Sequence, residues 1–298
     1  MSADRPAVQA LVGVASSSTG APIHYRLYLP VDPEQQVDHP RMWFPIRAHP
    51  AGLSRWPLAV VLPGFGCAAE SYGWLARTLA DTFICTLTYS LIEQSSFGDP
   101  IFTPGIDFDT ATPAAHGSAP RCTALPSLLQ AVASCRLANH LDLTRIALIG
   151  HSAGGAAALA DVARPWTPGT VAAVTYGAHG VGAVKAGWGD GTVCPIQPVP
   201  TLLLAGDHDG LGDAAAVDGR YGPNFSSMQD LIARTLEACG PNSELRTFAG
   251  AGHFALAENY DGSMSTGYLE KGSGLEGPAV RAAIGQEIMR FLTKHLST

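Results

Sequence analysis

The chain has 298 residues, 46% of them hydrophobic and 14% charged, with a formal net charge of -7 at pH 7. That much apolar material argues against intrinsic disorder, and an acidic balance with no basic cluster argues against nucleic acid or an anionic membrane surface as partner. The length, with strand-like and helix-like segments in alternation, predicts one α/β domain over residues 1–298.

Met1-Ser2-Ala3-Asp4-Arg5-Pro6 lacks a basic start followed by an apolar core. No run approaches membrane-spanning length either, which predicts a soluble, cytoplasmic protein. The first 56 residues read as N-terminal strands and a surface segment: Ile23–Leu29 alternates as a strand ended by Pro30, and Met42–Ile46 is a second short strand within a proline-rich stretch. Leu58–Pro63 is a buried-strand pattern, followed by the turn Gly64-Phe65-Gly66-Cys67 and a helix from Ala68 to Asp81. Phe83–Tyr89 is another strand. Residues 93–120 then form a long connection, and loops of that length in a compact domain usually wall or cover a site. Phe97, Ile101, Phe102 and Phe108 are its candidate pocket residues.

Leu125–Leu141 reads as a helix leading to the apolar strand Arg145–Ile149, and Gly155–Ala163 as a helix packed closely on the sheet. Between the last two lies Gly150-His151-Ser152-Ala153-Gly154. Val171–Tyr176 and Thr201–Ala205 are further buried strands, and the glycine-rich residues 177–200 between them, with His179, Trp188 and Cys194, are placed to cap a site. A helix over Ser226–Cys239, a strand over Glu244–Phe248, a loop over residues 255–277 and an amphipathic helix over Pro278–Leu296 complete the chain. In the loop, Tyr260, Met264 and Tyr268 are available to a substrate; in the helix, Val280, Ile284, Ile288, Phe291 and Leu292 share a face.

Three of these turns carry chemistry. In a chain with 33 glycines a G-x-S-x-G match can arise by accident, so its context decides. A strand before it and a helix after it make a nucleophile elbow, with Ser152 held out above the sheet edge and the Ala153 amide aimed at a developing oxyanion. A second amide is expected from the glycine-rich turn after Leu62, at Phe65. Gly206-Asp207-His208-Asp209-Gly210, past a late strand, offers the carboxylate that a catalytic histidine needs to fix its tautomer. Asp209 is favoured over Asp207 because a residue a few positions past the strand can turn back towards the histidine loop. Gly250-Ala251-Gly252-His253 supplies that histidine on a glycine loop directly after a strand. Asp207-His208-Asp209 lacks a third ligand set for a metal, and no phosphate-binding glycine motif accompanies the elbow. The six cysteines (Cys67, Cys85, Cys122, Cys135, Cys194, Cys239) have no ligand spacing and read as free thiols, with Cys122 and Cys135 a pair only in an exported chain.

Leu62-Pro63-Gly64-Phe65-Gly66, Gly150-His151-Ser152-Ala153-Gly154-Gly155, Leu204–Asp209 and Gly250-Ala251-Gly252-His253 resemble the α/β-hydrolase superfamily. Within it they look most like dienelactone hydrolase, chlorophyllase, platelet-activating-factor acetylhydrolase and polyester-hydrolase relatives. The resemblance, which runs from about Leu58 onward, implies a mostly parallel sheet with helices on both faces and long loops over the active site. It also implies Ser152 as nucleophile, His253 as general base and then acid, Asp209 as its orienting carboxylate, and the amides of Phe65 and Ala153 as the oxyanion hole. Unlike secreted polyester hydrolases, the sequence has neither an export signal nor a cysteine pair near its end.

These readings converge on a cofactor-independent serine hydrolase for a hydrophobic small-molecule ester or lactone, with Phe97, Phe102 and Trp188 contacting substrate. The alternatives are an acyltransferase, thioesterase or cyclase using the same triad, and a non-catalytic ligand-binding protein on this scaffold.

Overall fold

A computed structural model describes residues 8–32, 55–94, 98–258 and 277–296. Its strands are β1 (Val8–Ser16), β2 (Pro22–Pro30), β3 (Trp56–Leu62), β4 (Cys85–Gln94), β5 (Pro100–Thr103), β6 (Leu141–His151), β7 (Thr170–Tyr176), β8 (Thr201–Gly206) and β9 (Glu244–Phe248). Its helices are α1 (Gly73–Asp81), α2 (Ala124–Ala133), α3 (Ala153–Asp161), α4 (Gly210–Val217), α5 (Met228–Leu236) and α6 (Pro278–Leu296).

All nine strands join one sheet in the order β1-β2-β4-β3-β6-β7-β8-β9, with β5 paired to β4 off that path. Pairing is antiparallel for β1 with β2, β2 with β4 and β4 with β5, and parallel from β4 through β9. Every residue of β3 and β8 is buried, as expected where helices cover both faces of a parallel sheet. Side chains alternate across the strand. Leu58, Val60 and Leu62 of β3 therefore pack with Leu125 and Leu128 of α2 and Ala157 and Ala158 of α3. Ala59 and Val61 face the other way, to Leu75 and Leu79 of α1 and Ile284, Ile288 and Phe291 of α6.

The helix expected over Leu125–Leu141 stops at Ala133, because Leu141 pairs with Trp56 and begins the central strand instead. The connection over residues 93–120 is not all loop: β4 runs on to Gln94 and β5 folds back on it. Strand β1 and helix α4 have no counterpart in the sequence reading, whereas Met42–Ile46, Phe97, Tyr260, Met264 and Tyr268 lie outside the described residues. Cys122 and Cys135 are not paired, since both are free thiols and Cys122 donates to the Pro104 carbonyl at 3.1 Å. No helix among the described residues is long and apolar enough to cross a membrane.

Candidate active site

Strand β6 ends at His151 and α3 begins at Ala153, leaving Ser152 alone at the turn with φ 54° and ψ -123°. A positive φ costs a non-glycine residue about 1–3 kcal/mol, so the surrounding packing has to impose it. That packing is tight. A Cβ on Gly150 would lie 2.3 Å from the Gly154 carbonyl oxygen, and one on Gly154 would lie 2.4 Å from that of Leu62, so both positions admit only glycine.

Three distant turns meet at this serine. The Ser152 Oγ lies 2.9 Å from His253 Nε2, and His253 Nδ1 lies 2.8 Å from Asp209 Oδ2. His253 and Asp209 are 2% and 1% exposed. An ionised Asp209 only accepts, which puts the ring proton on Nδ1 and leaves the Nε2 lone pair to accept from the Ser152 hydroxyl. The other oxygen of Asp209 accepts from the Gly212 amide at 2.7 Å and so caps α4, and this fixes the carboxylate plane. Asp207 does different work: 39% exposed, it accepts from the Gly250 amide at the root of the histidine loop.

The amides of Phe65 and Ala153, one from each flank of the turn, make no hydrogen bond among the described residues. In the Phe65 loop the neighbouring amide, Gly64, is already taken by the Tyr72 hydroxyl at 2.9 Å.

Tyr72 begins a buried chain that the sequence reading missed. Its hydroxyl donates to His151 Nδ1 at 2.8 Å, and His151 Nε2 donates to the His253 carbonyl at 2.9 Å. The glycine loop, the elbow and the histidine loop are thereby tied together, with each group satisfied once. The only trace in sequence is the histidine beside Ser152; Tyr72 lies 79 positions away and has no motif. Tyr72→Phe removes both bonds of the hydroxyl and leaves two buried groups unpaired. We expect a loss of about 1–3 kcal/mol in urea unfolding and a lower kcat at nearly constant KM, because the groups loosened, the Gly64–Phe65 peptide and the His151 ring behind the elbow, position the reacting groups rather than the cavity.

Burial, with the His253 ring next in effect, holds the His151 imidazole down at about 3. A folded value below the unfolded one near 6.5 means that the neutral ring stabilises the fold fully above about pH 6.5, and that this stability is lost as the pH falls towards 3. The expected slope is up to about 1.4 kcal/mol per pH unit from this residue. His179, held by burial at about 4, adds a slope of the same sign. Unfolding free energies at pH 7.5 and 5 should differ by less in His151→Gln than in the wild type.

A cavity of about 580 Å³ opens beside Ser152 and His253. Phe65 and Phe108 line it with their rings parallel, 6.3 Å between centroids and 36% and 67% exposed, and Ala156 and Ala160 of α3 form part of its floor. Phe102 is not in this lining. Directly opposite Ile92 in the β4–β5 pair, its side chain enters a separate groove with Val12 and Tyr25, and only its carbonyl serves the site loop, accepting from the Gly66 amide at 2.8 Å. Trp188 also stands outside the lining. It donates to the Ala111 carbonyl at 2.6 Å and packs edge-on against His116, fastening residues 177–200 to the neighbouring connection. No group of three or more potential metal ligands occurs among the described residues.

A mostly parallel sheet with helices on both faces and a strained serine at a strand–helix turn defines the α/β-hydrolase fold, and the chain has that fold. Solved structures agree. A ferulic acid esterase from Streptomyces cinnamoneus superposes with a TM-score of 0.63 at 16% identity, covering 99% of this chain and 92% of the esterase. A hypothetical protein from Pseudomonas aeruginosa gives 0.54 at 15% identity, covering 97% of this chain and 94% of its own. No family model matches the sequence, and no curated protein matches it.

Proposed function

We propose that the protein is a serine hydrolase that cleaves a carboxylic ester or lactone of a hydrophobic small molecule through an acyl-enzyme. The observation that carries this reading is the continuous relay from Ser152 through His253 to Asp209, at 2.9 and 2.8 Å, in the wall of a largely apolar cavity. Ser152 Oγ attacks the ester carbonyl while His253 Nε2 takes its proton, and Asp209 stabilises the resulting imidazolium. The tetrahedral oxyanion rests on the amides of Phe65 and Ala153, each worth about 3 kcal/mol of barrier. The imidazolium then protonates the leaving alcohol. In the second half, His253 deprotonates a water that attacks the acyl carbon, and collapse releases the acid and returns the proton to Ser152. No step requires a cofactor. The esterase among the structural relatives supports this reaction class, and six free thiols suit a reducing, cytoplasmic setting.

Active-site labelling tests the reading directly. A fluorophosphonate probe should modify the folded wild type once, at Ser152 by peptide mass, and p-nitrophenyl esters should be turned over with water as acceptor. Absence of labelling on folded protein would favour a binding protein; labelling with ester turnover only on addition of an amine, thiol or alcohol acceptor would make it an acyltransferase.

A further inference from the structure

The cavity is unevenly charged. Beyond the triad its charged lining consists of Arg121, Arg220 and Asp218, and the last two pair with each other at 3.0 Å at the exposed rim. Arg121 is half-buried and makes no ion pair among the described residues. Of its five guanidinium N–H groups, one from Nη1 donates to the Asp107 carbonyl at 3.2 Å. The buried carboxylate nearby, Asp161, is already occupied by the amides of Arg121 and Cys122 and by Trp166 Nε1. Burial, with Arg164 and Arg121 alongside, keeps the neighbouring His116 ring below its usual range. Asp161 and Asp107 lie near enough to favour the charge but do not pair with it directly, and a half-buried cation left without a direct partner is costly to maintain; it lines a cavity otherwise made mainly of apolar groups and glycine backbone.

The same helix links the Arg121 backbone to the nucleophile. Ser152 is the N-cap of α3, and Asp161, whose Oδ1 accepts from the Arg121 amide at 2.8 Å, is its last residue. At 1.5 Å per residue the step from 152 to 161 is about 13 Å. Between them Ala153, Ala156 and Ala160 line the cavity with Leu159 as the one larger side chain that α3 contributes, so a slender substrate can lie along the helix.

We propose that Arg121 binds a carboxylate at the end of the substrate remote from the scissile ester, so that the preferred substrates are extended monoesters carrying a free terminal acid. This inference rests on the serine-hydrolase reading for its chemistry but not for its binding. With the ester carbonyl at Ser152 Oγ, the acid reaches the guanidinium in the fork geometry that suits a planar carboxylate. Short acids, whose charge would sit unpaired on the alanine floor, bind less well than long ones.

Two ester series test it. In one, mono-p-nitrophenyl esters of dicarboxylic acids of four to ten carbons are compared with neutral p-nitrophenyl alkanoates of equal length. In the other, butyrates of ω-hydroxy acids are compared with butyrates of the matching alkanols. The wild type should prefer the acid-bearing member by about ten-fold or more in kcat/KM in one series, with the preference growing as the chain lengthens. In Arg121→Gln and Arg121→Met the ratio should fall to about one, and Arg121→Lys should retain part of it. Neutral-ester turnover by the wild type without an acid preference would overturn the proposal while leaving the hydrolase reading intact. So would a preference that survives in both Arg121→Gln and Arg121→Met. Binding of sebacate, which has no ester, gives an independent reading by calorimetry: it should bind the wild type, with weaker affinity for Arg121→Gln of unchanged melting temperature. Equal affinity for the two would overturn the proposal even if the protein hydrolysed nothing.

Discussion

Ser152→Ala is expected to lower kcat for any ester the wild type cleaves by about 10⁶ while the protein stays folded. Chemistry and folding separate at this residue for a structural reason. The Ser152 side chain makes no capping bond to α3, and its one partner among the described residues is His253 Nε2. Removing the hydroxyl therefore costs the fold one partly buried hydrogen bond, on the order of 1 kcal/mol. The positive φ stays, because the backbone bonds that enforce it stay: the Ser152 amide still donates to the Tyr176 carbonyl at 3.0 Å, and the Gly155 amide to the Ser152 carbonyl at 2.9 Å. Fluorophosphonate labelling should disappear along with turnover, and circular dichroism and melting should change little. A variant that kept a tenth of the activity would show that the reaction runs without this nucleophile, and the acyl-enzyme mechanism would have to be abandoned. Variants at His253 should fall as far as Ser152→Ala, and the double variant no further, since neither group acts without the other.

What the sequence disclosed and what it hid follow from the range of the interactions involved. The strands β3 and β8 were legible because two-sided burial demands unbroken apolar runs, and Gly150 because a steric clash with Gly154 and Gly155, a few residues on, selects glycine. The order of Ser152, Asp209 and His253 could be read for a similar reason, each lying on a turn that follows a strand of the parallel sheet. Side chains whose place depends on a distant partner left no such mark. Nothing in the residues around Tyr72 shows that its hydroxyl would reach His151, and nothing around Trp188 shows that its indole would bond Ala111 rather than face a substrate. Phe102 looked like pocket lining because the connection around it was read as loop; once β5 pairs with β4, the two-residue period of the strand decides the direction of the ring. The helix expected to run to Leu141 failed in the same way, since the backbone of Leu141 and Asp142 is claimed by pairing with Trp56 and Pro57 that local propensity cannot report.

Asp209→Asn should reduce kcat/KM by about 10⁴ with the protein still folded, as loss of the charge and reversal of the histidine tautomer require. The tautomer argument depends on α4. Asp209 Oδ1 accepts from the Gly212 amide, and that bond, at the N-terminus of the helix, can be kept only by an oxygen. The introduced amide therefore leaves its oxygen on Gly212 and turns its NH₂ group towards His253 Nδ1. A donor at that position makes Nδ1 the acceptor and moves the ring proton to Nε2, where it points at Ser152 Oγ instead of receiving a proton from it. The base is then blocked although every heavy atom keeps its place. Asp207→Asn is the informative contrast. The Asp207 carboxylate accepts from Gly250, an amide oxygen can do the same, and neither group touches the histidine ring, so activity should stay within a few-fold of the wild type. The reverse ranking, with Asp207→Asn the crippled variant, would transfer the orienting role to Asp207 and require the histidine loop to be rearranged when substrate is bound. With the expected ranking, raising the pH should not restore Asp209→Asn to wild-type rates, because the defect lies in which nitrogen carries the proton as well as in the missing charge.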